Sequence, residues 1–120
     1  MMPAACDLFK TLSEPTRLRI LHLLSHGPLC VCHIHEILDL PQSKVSQQLG
    51  NLRKAALVAT SRYHNWTLYS LPEKSEPVFA GALATLKSTA FSTDPIFKAD
   101  LKRLRSTDTS AACEAAAACC

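Results

Sequence analysis

Residues Leu29 to Leu57 read LCVCHIHEILDLPQSKVSQQLGNLRKAAL, and two unlike signals lie side by side in them. In the first half, Cys30 and Cys32 stand one residue apart and are followed by His33 and His35. In the second half, Val45, Leu49, Leu52 and Ala56 recur at helical spacing, which predicts one buried face. A step of about 100° per residue puts Ser43, Lys44, Gln47, Asn51 and Lys54 on the opposite face, where there is no acid. A helix from about Val31 to Leu38, a turn at Asp39-Leu40-Pro41 and a helix starting near Gln42 make a helix-turn-helix. Soft-ligand chemistry lying against a helix fit for a DNA groove predicts a sensor coupled to a reader.

Outward from this centre, Leu57–Ser61 and Trp66–Leu71 switch to strand-like composition. They flank Arg62-Tyr63-His64-Asn65, a basic hairpin tip in which Asn65 tolerates a left-handed conformation. Such a hairpin directly after a reader helix is a wing. Glu76 to Phe91 then reads as a helix carrying Val78, Phe79, Ala82, Leu83 and Leu86, and Asp94 caps a last helix through about Arg105. On the other side, Ala4 to Leu12 gives a short helix with Leu8, Phe9 and Leu12 on its apolar side. Ser13 offers an N-cap and Pro15 a first-turn residue for Thr16 to Ser25. The latter carries leucine or isoleucine on so many sides that it is expected at the centre of the core. His26-Gly27-Pro28 stops it. The predicted fold is mostly α with a short β-hairpin, a winged helix-turn-helix domain over residues 1–105, followed by a mobile Cys/Ala-rich tail over 106–120.

The chain has 120 residues, enough for one domain with a modest core, and 48% hydrophobic against 19% charged content excludes a disordered polymer. A net charge of +3 is mild, so its distribution matters more. Leu40 to Pro72 contains no Asp or Glu but does contain Lys44, Arg53, Lys54 and Arg62, which gives one surface able to meet phosphates. No apolar run approaches a membrane span and the N-terminus lacks a signal-like pattern, so a cytoplasmic protein without membrane contact is expected. In a reducing compartment its six cysteines argue for thiols and ligands rather than a disulfide framework.

The segments SEPTRLRILHLL, LCVCHI directly before the turn, SKVSQQLGNLRKAALV and the closing WTLYSL together resemble the arsenic-operon (ArsR/SmtB) family of winged-helix repressors. The resemblance covers about Leu8 to Leu71. It implies a homodimer that represses a promoter and releases it when a metal or metalloid binds. It also implies an interface built from the first and last helices, here Ala4–Leu12 and Glu76–Phe91. Three positions depart from the family pattern. His35 stands where the Cys-x-Cys-x-x-Cys motif has its third thiol, Ala56 replaces the Gly at the end of the reader helix, and Asn65 replaces the wing-tip Gly. The acid and histidine pair of some zinc-sensing members is absent from Glu76–Phe91.

On a regular helix, Cys30 and Cys32 are separated by about 200° and meet at one ion only if the first turn unwinds. Gly27-Pro28 makes an irregular start plausible. Thiolates suit soft ions, so trivalent arsenic or antimony, cadmium, lead or mercury outrank hard cations. With the family resemblance this makes arsenite or antimonite the expected inducer, and cadmium, lead or zinc the divalent alternative. Cys30 and Cys32 are the predicted ligands, and the third comes from Cys6, His35 or the tail cysteines Cys113, Cys119 and Cys120. Nothing in the pattern calls for a cofactor in DNA binding. His22 and His26 share the i,i+4 spacing of some zinc pairs, but no acid or third donor stands near them in sequence. The expected partner is double-stranded operator DNA, met by Gln42, Ser43, Lys44, Ser46, Gln47, Asn51, Lys54 and Arg62. Gln47 and Asn51 suit adenine edges, while the lysines and Arg62 suit phosphates. An enzyme is not expected, since the thiols lack both a Cys-x-x-Cys context and a catalytic partner set. A redox- or persulfide-sensing repressor on the same fold remains the nearest rival.

Overall fold

The computed structural model describes residues 2–63, 66–73, 77–88 and 94–107. Its elements run α1 Met2–Leu12, α2 Pro15–Leu24, β1 Leu29–Cys30, α3 Val31–Leu38, α4 Gln42–Lys54, β2 Ala59–Tyr63, β3 Trp66–Ser70, α5 Pro77–Lys87 and α6 Pro95–Ser106. Helix α2 is the centre. Ile20, Leu21 and Leu23 are wholly buried, and α1, α3, α4, α5 and α6 all pack on it. Its start differs from expectation: Glu14, not Ser13, is the N-cap, and its carboxylate accepts from the Arg17 amide. The Ser13 hydroxyl instead donates back to the Lys10 carbonyl, the local competition that makes serine a turn residue as readily as a cap.

The helix-turn-helix is held by two matching helix ends. At the close of α3, Asp39 takes φ 55°, its amide bonds Glu36 O, and Leu40 N reaches back to His35 O. At the close of α4, Ala56 takes φ 59°, its amide bonds Arg53 O, and Leu57 N reaches Leu52 O. Both are Schellman ends, whose left-handed residue is ordinarily glycine. Ala56 was expected on the buried face of the reader helix; it is exposed in the turn beyond Lys54, and Leu57 is the apolar residue that folds in. Ala56→Gly is therefore predicted to raise the unfolding free energy by about 1 kcal/mol. A higher urea midpoint at an unchanged slope is the check.

The wing is more than a hairpin. β2 and β3 pair antiparallel with Tyr63 opposite Trp66, and β1 adds a third strand on the far side of β3, with Leu29 opposite Tyr69 and Cys30 opposite Leu68. Arg62 and Tyr63 belong to β2 rather than to the tip, and the tip residues His64 and Asn65 lie outside the described residues. So do the tail cysteines Cys113, Cys119 and Cys120. Helix α5 ends at Lys87, where Ser88 turns its hydroxyl back onto Thr85 O, and the expected end at Phe91 lies outside the described residues. Helix α6 starts where expected, with the Asp94 carboxylate accepting from the amides of Ile96 and Phe97.

Candidate metal centre and nucleic-acid interface

Cys30 is the last residue of β1 and the N-cap of α3, with extended backbone at φ −88° and ψ 162°, while Cys32 is the second helical residue. The extended cap turns one sulfur back over the first helical turn. The two thiols therefore meet without any unwinding, against the expectation that both sat on a regular helix. Their Cα atoms are 5.4 Å apart and the sulfurs are paired as a disulfide, whereas the sequence argued for separate thiols. Cys30 is buried and Cys32 exposed, so the pair has one face on the core and one on solvent.

The third donor beside them is His33, with Nδ1 3.3 Å from Cys30 Sγ. Cys30, Cys32 and His33 offer ligand atoms within 4.8 Å of one another. Of the donors proposed from sequence, His35 is not in this group, and Cys6 is an exposed free thiol on α1. The reason is register. An N-cap and the third helical residue face each other in the same way as in a capping box, so a cap at Cys30 selects His33. Trp66 of β3 closes the other side, its ring centroid 6.0 Å from that of His33.

Helix α4 buries Val45, Leu49 and Leu52 and exposes Gln42, Ser43, Lys44, Ser46, Gln47, Arg53 and Lys54. No side chain caps its N-terminus, which leaves free amides and the positive helix end for a phosphate. Asn51 is half-buried rather than fully presented: its Nδ2 donates to Gln48 Oε1 at 3.2 Å, which also accepts from Arg17 Nη1 at 3.1 Å. Arg17 in turn donates to Thr11 O at 2.7 Å, so one guanidinium ties the reader helix to the end of α1. Gln48 was missed from sequence, although its i,i+3 relation to Asn51 places the pair on one helix edge. Arg62 is exposed on β2.

Behind the reader, Arg19 of α2 forms a two-pronged bond to Asp100 of α6, both contacts at 2.9 Å, and also donates to Leu38 O. Asp100 is fully buried. The hydrogen bond to Asp100 raises the Arg19 pKa above its ordinary value against the effect of burial. Arg103 donates to Ile37 O. Two guanidinium groups thus satisfy the last carbonyls of α3, the negative end of that helix.

The apolar faces expected to make a dimer are partly spent inside the protomer. Phe79 and Leu86 belong to the core, and Leu83 packs half-buried against it. Phe9 and Val78 are the large apolar side chains left outside on α1 and α5, at 57% and 48% exposure. Among the described residues, no helix is long and apolar enough to cross a membrane.

A three-stranded winged sheet set on a helix-turn-helix is an architecture used by DNA-binding transcriptional regulators. Residues 14–60 match the model of the bacterial regulatory protein, arsR family. The arsenical resistance operon repressor of Escherichia coli is 43% identical over 66 residues, 54% of this chain and 56% of the repressor, so the chain spans little more than half of that protein's length. Among solved structures, reduced HlyU from Vibrio cholerae is 30% identical with a TM-score of 0.64, over 71% of this chain and 86% of that one. The AntR antimony-specific transcriptional repressor is 31% identical with a TM-score of 0.57, over 67% and 70% respectively. This chain belongs to the arsR family of transcriptional repressors.

Proposed function

We propose that this protein binds operator DNA as a homodimer and lets go of it when trivalent arsenic or antimony is bound by the Cys30 and Cys32 thiolates. The observation that carries the reading is the gathering of two sulfurs and the His33 nitrogen at the junction of β1 and α3. That donor set suits soft ions and offers nothing to a hard cation. The names of the Escherichia coli and antimony-specific relatives point the same way. A further sulfur from Cys6 of a second protomer, or from Cys113, Cys119 or Cys120, would complete an all-sulfur site. With His33 alone as third donor, cadmium, lead or zinc competes.

Position supplies the coupling. Cys30 faces Leu68 across the sheet and Leu68 faces Ser61, the neighbour of Arg62 on the wing. Cys32 and His33 sit on the helix that leads through the Asp39 turn into the reader. Once the Cys30–Cys32 pair is reduced, an ion seated between the two sulfurs holds them further apart than the direct pairing and changes the junction from which both DNA-facing elements hang. DNA is not needed to build this site, and the site is not needed to bind DNA.

The pairing of the two sulfurs favours one second reading, a thiol redox sensor. In it a peroxide takes two electrons and both thiol protons, forming the disulfide and two waters. A single titration separates the readings: labelled operator with bound protein that has been reduced and then freed of reductant, challenged anaerobically with arsenite, antimonite, cadmium or zinc and, in a separate arm, with hydrogen peroxide. Release by the trivalent metalloids supports the proposal, and release by peroxide alone replaces it with the redox reading.

On the DNA side, Gln47→Ala is expected to cost about 1–3 kcal/mol on the operator and to relax base preference. Arg62→Ala is expected to weaken all sequences alike and to flatten the salt dependence. Unchanged operator affinity in both variants would remove these residues from the interface.

A further inference from the structure

A second concave site lies away from the thiols, between the end of α2 and the helices α5 and α6, with a volume of about 770 Å³. Its rim carries Lys87, Lys98, Lys102 and Arg105, and among the described residues its lining includes no Asp or Glu. None of these four cations takes part in an ion pair among the described residues. The walls between them are apolar, formed by Leu86, Phe97 and Leu101. Cationic groups around apolar walls, in a volume typical of small-molecule sites, select a molecule with a charged end and a greasy body.

One buried group points to a ligand independently of the charges. His22, 5% exposed, lines this cavity, and its Nδ1 has no hydrogen-bond partner among the described residues. Its ring is held edge-on by Phe97 and His26, at 4.9 and 5.3 Å between centroids. A buried nitrogen without a partner costs free energy unless something completes it. The surroundings of His26 agree with a positive rim. Burial, then the charges of Lys87 and Arg105, push its pKa below the ordinary value.

We infer that this cavity binds an organic anion, a carboxylate with an apolar chain or ring. Its head group meets the Lys98, Lys102 and Arg105 side chains, and its body lies on Phe97 and Leu101. The site shares no residue with the Cys30–Cys32–His33 group, so a ligand here would make a second input to the repressor. The inference does not depend on the identity of the metal inducer.

The test is calorimetric titration of the full chain with octanoate, with indole-3-acetate and with inorganic phosphate. It is repeated on the double variant Lys98→Glu/Lys102→Glu, whose two side chains are exposed and make no ion pair among the described residues. At least one carboxylate should bind the native chain, and the double variant should bind it at least about tenfold more weakly, a loss of about 1.4 kcal/mol. The His22 ring nitrogen resonances should shift on adding that carboxylate to native protein. Phosphate binding as tight as the carboxylates would overturn the assignment of an apolar body. Binding undiminished in the double variant, or no binding of either carboxylate at millimolar concentration, would overturn the site.

Discussion

Arg19→Ala should lower the unfolding free energy by about 3–5 kcal/mol, because it strands the Asp100 carboxylate in the core without its partner. Asp100 is fully buried, and both of its oxygens accept from the one guanidinium. Asp100→Ala should cost less, about 1–3 kcal/mol. The Arg19 side chain keeps 20% of its surface in solvent and retains its bond to Leu38 O, so it can be rehydrated where the carboxylate cannot. The measurement is urea unfolding of both variants at one protein concentration, since association would shift apparent stability. Equal losses, or a larger loss for Asp100→Ala, would show that the pair is not the buried link between α2 and α6 described above. Loss of this link also frees the carbonyl end of α3, so the Arg19 variant should bind operator less well even where it stays folded.

The second large effect is on induction. Cys30→Ser and Cys32→Ser should each leave operator affinity in the absence of inducer unchanged and remove the response to arsenite. Coupling between linked sites is commonly about 1–3 kcal/mol, so the native protein should lose roughly 5- to 150-fold in operator affinity on binding its inducer. Neither thiol lies on α4 or on the wing strands β2 and β3, which is why the inducer-free state should not need them. His33→Ala tests the third donor. If it lowers the sensitivity to arsenite while His35→Ala does not, the nitrogen beside Cys30 belongs to the site. If Cys6→Ser silences the response, a sulfur from α1 completes it. Trp66 against His33 gives a direct readout, since its fluorescence should change on inducer binding in native protein and not in Cys30→Ser.

How much of this was legible in the chain depends on the range of each interaction. The helices could be read because periodicity, Pro15, Asp94 and the leucine density of α2 act within a few residues. That the polar face of α4 is exposed could be read for the same reason, apart from Asn51, which is half-buried and donates to the Gln48 oxygen that also accepts from Arg17 of another helix. What sequence missed was either too short or too distant. A two-residue strand, β1, has no periodicity, yet it moves Cys30 out of the helix and decides which histidine stands beside it. The link from Arg19 to Asp100 crosses 81 residues, and no local pattern announces it. Phe79 lies on a helix that the resemblance assigned to the dimer interface, yet it is buried in the core because α5 packs on α2 in the same protomer.

The most direct test of the central claim is the anisotropy of a labelled operator fragment, titrated with arsenite in the presence of native protein and of the Cys30→Ser/Cys32→Ser double variant. Both proteins should bind the fragment with the same affinity before arsenite is added. Native protein should then release it and the double variant should hold it at every arsenite concentration. A double variant that still releases the operator on adding arsenite would contradict the account.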